Sequence, residues 1–120
     1  MRNMSFAMTT QQFLDGTKDV TRRFGWDFLK VGDRVRAVEK AMGLKKGEKI
    51  KVLGVIEIVS VRKEPLWNIT KEDCIREGFP DYDPENFVDM MQDHFECEPD
   101  ALINRIEFRK IAVPEERKLS

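Results

Sequence analysis

The segment Gly16-Thr17-Lys18-Asp19-Val20-Thr21-Arg22-Arg23-Phe24-Gly25-Trp26 gathers an amine, a hydroxyl, two guanidiniums and an indole in one short run. The planar donor fork of Arg22 or Arg23 suits a phosphate or a carbonyl oxygen. Trp26 offers a face on which a nucleobase can stack. Lys18, if its pKa is lowered, could act as a base toward the Thr21 hydroxyl, which would then be a nucleophile. The same run also reads without any chemistry, as an exposed strand followed by a core tryptophan. There is a geometric objection too. On a regular strand residues 18 and 21 point to opposite faces, so cooperation between them requires a bulge or turn.

Other reactive types are scarce. The one histidine, His94, sits beside an apolar helical stripe with nothing triad-like around it, and reads as structural or surface. Cys74 lies inside a short helix and reads as a small buried residue. Cys97 completes no C-x-x-C pair, and the acidic residues of 72 to 100 lack metal-ligand spacing, so no metal or cofactor is expected. A solvated acidic face accounts for them.

The elements that must carry these groups follow from pattern. Asn3 to Met8 alternates weakly, as a strand would. Thr9 or Thr10 can cap a short helix through Leu14, which Gly16 ends. Lys18 to Arg23 looks extended, Phe24 to Leu29 is an aromatic knot, and Val31-Gly32-Asp33 turns into a strand from Arg34 to Lys40. Gly43 to Lys49 is a basic, glycine-flanked loop. Ile50 to Val61 is a long β-branched strand with a slip in alternation at Gly54, ended by Pro65. Thr70-Lys71-Glu72-Asp73 resembles a capping box with Asp in the Glu position, opening a helix that stops at Gly78. Asp83-Pro84 starts another helix, whose Phe87, Val88, Met91 and Phe95 form a core-facing stripe. Leu102 to Ile111 alternates as a half-buried closing strand, and Pro114 to Ser120 forms a charged tail. This order lacks βαβ alternation and predicts a small α+β mixed barrel with helices at its ends.

Length and composition bound the reading. The 120 residues, 41% hydrophobic and 36% charged, leave room for one domain, over 1–113, and a tail over 114–120. No apolar run reaches the about 18 residues of a membrane span, and no signal-peptide core is present. Two cysteines make no disulfide framework, so a reducing, cytoplasmic address is expected. The net charge of −1 conceals an asymmetry: residues 1–63 hold 14 Lys/Arg against 7 Asp/Glu, and residues 64–120 hold 7 against 15. This split suggests either a basic face for an anionic partner or mutual neutralisation across the fold.

The pattern Gly16-x-Lys18-x-x-Thr21-x-Arg23, followed by Leu29-Lys30-x-Gly32-Asp33 and a strand, resembles the ASCH family of PUA-like domains. The similarity continues through the central strand and Ile69-Thr70-Lys71-Glu72-Asp73-Cys74-Ile75-Arg76-Glu77-Gly78-Phe79 to Ile106-Glu107-Phe108, nearly the whole chain. The resemblance implies a PUA-like β-barrel with a basic cleft that associates with RNA or modified nucleosides. One branch consists of small amidohydrolases that deacetylate N4-acetylcytidine with a Lys, a Thr and a Glu. By motif these fall on Lys18, Thr21 and Glu77, the last seven residues after Thr70. Arg22, Arg23, Trp26, Lys45 and Lys46 are then expected to contact the nucleoside or RNA. Other branches imply a non-catalytic RNA-binding module or a metal-independent ribonuclease. The Trp26 knot, the Gly43 to Lys49 loop and the helix from Pro84 to Glu96 depart from a minimal amidohydrolase.

Overall fold

β-Branched residues crowd the stretch that becomes the longest strand, and pairing onto that strand organises the rest. In a computed structural model of the chain, which describes residues 1–112, β4 spans Val52–Pro65 and has a partner on each side. For clarity the elements are β1 (Asn3–Ser5), α1 (Thr10–Leu14), β2 (Val20–Arg23), β3 (Arg34–Val38), β4, α2 (Lys71–Arg76), α3 (Pro84–Phe95) and β5 (Leu102–Ala112). β3 and β5 flank β4 antiparallel, β1 adds parallel to β3, and β2 adds antiparallel to β5. The order is β1-β3-β4-β5-β2.

The mixed α+β class expected from the sequence is present, with three short helices against a five-stranded sheet. Among the described residues no backbone pairing joins β1 to β2, so the ladder does not close as the expected barrel would. A side chain spans the opening instead: Arg23 Nη2 donates to the Ser5 carbonyl at 2.7 Å.

Several boundaries differ from pattern for identifiable reasons. The strand expected over Asn3–Met8 stops at Ser5, and Ala7–Thr9 turns into a 3-10 helix. The Thr10 hydroxyl bonds back to the Phe6 carbonyl at 2.8 Å, so neither threonine caps α1 through its side chain. β4 is shifted toward the C-terminus of the Ile50–Val61 expectation. Its bulge does fall beside Gly54: Ala37 pairs with Gly54 and Val38 with Val52, leaving Leu53 extra. Thr70 caps α2, accepting from the Asp73 amide at 3.1 Å. The expected tail from Pro114 to Ser120 lies outside the described residues.

β5 was expected to be half-buried, yet Ile103, Asn104, Arg105 and Ile106 are all buried. Both its faces are covered. Ile106 and Phe108 join a core with Phe6, Phe13, Ile56 and Ile58, in which the Phe6 and Phe13 rings lie 4.8 Å apart. Ile103 joins a second core with Leu66, Ile69, Cys74, Phe87 and Met91, built by α2 and α3. Among the described residues no helix is long and apolar enough to cross a membrane.

Candidate active site

The gap between β1 and β2 is also where the chemistry gathers. α1 ends in a turn that brings the chain back, with Gly16 at φ +81° and the Lys18 amide bonded to the Gln12 carbonyl at 3.2 Å. Lys18 precedes β2, so strand alternation does not govern it, and the objection that residues 18 and 21 face apart falls away. Opposite, α2 ends at Glu77, and Gly78 at φ +97° lets the chain leave against α1. An added Cβ at Gly78 would meet Gln12 side-chain carbons at 2.8 Å, so only glycine permits this approach. The two turns set Lys18 and Glu77 face to face.

Lys18, Thr21, Arg22, Arg23 and Glu77 line a single cavity of about 220 Å³. Lys18 Nζ lies 2.6 Å from Glu77 Oε1 and donates as well to the Glu77 carbonyl at 2.8 Å. Both residues are buried. Burial pushes the Lys18 amine down from its ordinary value; Glu77 pulls it back up, and the positive charges of Arg23 and Arg22 push it further down. Thr21 is buried and its Oγ1 accepts from Arg23 Nε at 3.0 Å. Burial lowers the Arg23 guanidinium to about 10, which leaves it cationic at neutral pH.

Beneath the cavity lies a network that pattern did not reveal. Arg22 Nη2 donates to Glu64 Oε2 at 2.7 Å and to Asp73 Oδ2 at 2.8 Å. Arg105 grips both oxygens of Asp73, at 2.7 and 2.9 Å. The bidentate Arg105 hydrogen bonds, reinforced by Arg22 and opposed by burial, hold the Asp73 carboxyl well below the usual range. Arg22 Nη1 stands 3.8 Å from Glu77 Oε2, beyond hydrogen-bond reach, and both atoms are buried without a hydrogen-bond partner. The sequence signal for Asp73 was its place in the capping box; its carboxylate serves the arginines there. Arg105 gave no signal, because strict alternation put it on a solvent face.

The opposite wall comes from α3: Phe87, Met90, Met91, His94 and Phe95 all line the cavity. Phe95, expected in the core, is half exposed there. His94, read as structural or surface, faces the cavity from an exposed position. Trp26, Lys45 and Lys46 are not part of this lining. Trp26 borders a separate shallow groove, and the two lysines sit on the exposed loop after β3. Cys74 is fully buried in the second core, where burial pushes its thiol up, away from nucleophilic use.

The pocket lies at the open edge of a mixed sheet and is walled by one amphipathic helix, and solved structures share the fold that carries it. An ASCH domain from Lactobacillus crispatus JV V101 superposes with a TM-score of 0.67 at 18% identity, over 92% of this chain and 79% of the other. A protein from Enterococcus faecalis V583 described by the family model DUF984 gives 0.66 at 17%, over 100% and 82%. ASCH from Zymomonas mobilis gives 0.57 at 13%, over 97% and 73%. No family model matches the sequence, and no curated protein matches it. The chain therefore has the ASCH-domain fold that its motif order led us to expect.

Proposed function

We propose that this ASCH-type domain binds a modified nucleoside, free or in RNA, and hydrolyses the amide of an acylated cytidine-type base. The observation that carries this reading is the convergence of Lys18, Thr21 and Glu77 on one cavity, from segments far apart in the chain. At about 220 Å³ the cavity falls below the roughly 300–1,000 Å³ of sites for drug-sized ligands, a size that suits a single ring system.

In this mechanism Thr21 Oγ attacks the acyl carbonyl carbon and its proton passes to Lys18 in the neutral amine form. The tetrahedral intermediate collapses, the C–N bond breaks, and Lys18 returns the proton to the departing exocyclic amine. Water, deprotonated by the same amine, then attacks the Thr21 ester, releasing the carboxylic acid and regenerating the hydroxyl. Glu77 orients the amine along the 2.6 Å contact and accepts its proton before attack. Arg23 fixes the Thr21 hydroxyl through its 3.0 Å hydrogen bond and favours the developing alkoxide.

The test is incubation with N4-acetylcytidine and detection of cytidine and acetate by mass spectrometry. Thr21→Ala is expected to lose roughly 10³–10⁶-fold in turnover. Equal turnover by the variant would remove the nucleophile from the scheme. One observation favours a second reading, a non-catalytic binding module: Lys18 is engaged by Glu77, and Thr21 Oγ1 takes its hydrogen bond from Arg23. That reading predicts nucleoside or RNA binding without product, weakening as salt rises where phosphates are contacted.

A further inference from the structure

We propose that the cavity is one of two adjoining subsites, and that the ligand is a nucleotide within a single strand. The reacting base enters the cavity while its neighbour stacks on a shelf made by Trp26, Phe28 and Arg2. This rests on the nucleoside reading above and adds to it the strand and the second site.

The shelf is lined by Arg2, Asn3, Phe24, Gly25, Trp26 and Phe28. The Trp26 and Phe28 rings lie 5.4 Å apart, and the Arg2 guanidinium sits 4.2 Å from the Phe28 centroid. Phe28 is 48% exposed although Arg2 lies over its ring. Half-exposed aromatics beside an arginine are a recurring means of holding an unpaired base. The platform is also held in place before any ligand arrives. Trp26 has φ +62°, a left-handed backbone that residues with a side chain rarely adopt. The surrounding turn is tied down by Asn104 Nδ2, which donates to the Gly25 carbonyl and, at 2.8 Å, to Asp27 Oδ1. A platform fixed in advance loses little entropy on binding.

The two concavities are lined by chain neighbours. Arg23 lines the cavity and the next residue, Phe24, lines the shelf. On β1 the same division separates Ser5 from Asn3, about 7 Å along a strand. Phe24 meets Phe95 of the cavity wall edge to face, with centroids 5.5 Å apart. This spacing is within reach of neighbouring bases on a flexible strand, and the linking phosphate would pass Arg23. Charge agrees with that occupant. No carboxylate lines the shelf, Asp27 beside it is paired with Lys63 at 2.6 Å, and Arg2 and Arg23 flank the path.

The experiment uses a Trp67→Phe background, in which tryptophan fluorescence reports Trp26 alone; Trp67 borders a different groove. The probes are N4-acetylcytidine and a tetranucleotide containing it flanked by uridines. The tetranucleotide is expected to quench Trp26 and to bind about tenfold or more tightly than the nucleoside, the gain from one stacked base. Phe28→Ala is expected to shrink that ratio below about twofold, while Trp26→Phe, whose affinities are read by titration calorimetry because it leaves no tryptophan, retains it. Equal affinity of the two probes, tight tetranucleotide binding without quenching, or an undiminished ratio in Phe28→Ala each overturns the shelf. Hydrolysis of the nucleoside with no tetranucleotide gain leaves the catalytic reading standing and refutes this one. Tetranucleotide quenching without any hydrolysis does the reverse.

Discussion

Glu77→Gln and Lys18→Met break the same 2.6 Å contact, but the structure makes them unequal. Breaking a buried ion pair by removing one partner costs about 3–5 kcal/mol, because a charge is left buried without compensation. Without Lys18, Glu77 still has Arg22 Nη1 at 3.8 Å, and a small rotation of the carboxylate closes that gap. Without the Glu77 carboxylate, Lys18 keeps a neutral carbonyl at 2.8 Å and faces the repulsion of Arg23 and Arg22. Glu77→Gln is therefore expected at the upper end of the range and Lys18→Met at or below its lower end.

The pH dependence separates them further. Burial already lowers the Lys18 amine, and losing the carboxylate lowers it more. Between that folded value and the unfolded value near about 10.4, the unfolded chain binds a proton that the folded chain does not, so stability rises with pH. Glu77→Gln should recover by up to about 1.4 kcal/mol per pH unit in that window, more steeply than the unmodified protein. Lys18→Met should show no such recovery. The assay is urea unfolding at several pH values above neutrality. With a slope of about 1–3 kcal/mol/M, the larger loss lowers the midpoint by about 2 M. A Lys18→Met loss equal to or greater than that of Glu77→Gln, with no alkaline recovery in the latter, would refute the assignment of Arg22 as reserve partner.

Asp73→Asn withdraws the carboxylate that binds Arg22 and Arg105 and should cost about 3–5 kcal/mol in urea unfolding at pH 7. Because the Asp73 carboxyl is held below its ordinary value, its contribution is full above about pH 4 and is lost as pH falls, so the variant should lose less than the parent between about pH 4 and pH 2. Gly78→Ala forces a left-handed backbone on alanine, about 1–2 kcal/mol, and drives its Cβ into Gln12. Its unfolding midpoint should fall, and a misplaced Glu77 should reduce turnover of N4-acetylcytidine more than it reduces binding.

Motif order made the candidate site residues legible, and topology supplied what motif order lacks. Lys18, Thr21 and Glu77 came from the family resemblance, and the fold brings them to one cavity; Gly16 and Gly78 mark the turns beside Lys18 and Glu77, while Thr21 lies within β2 and leaves no such mark. Trp26, Lys45 and Lys46 were grouped with them on residue type, which says nothing of the face a loop presents. Alternation along β5 assumed one covered face. It failed at Ile103 and Arg105, where α2 and α3 bury the second. The stripe on α3 correctly placed Phe87 and Met91 inside. It could not show that the wall opposite Phe95 is left open, since periodicity tells which residues share a side and not what stands across from them.

The double burial of β5 bears on how the chain folds. Ile106 completes one core, Ile103 the other, Arg105 the charge network, and the strand pairs with both β4 and β2. A chain that has not yet acquired residues 102–110 would expose two apolar surfaces and two unpaired strand edges, and would leave Asp73 without its bidentate clamp. Such long-range dependence makes acquisition slow and concerted. A partly synthesised chain would have no stable half to wait in, and would need shelter from aggregation until β5 docks.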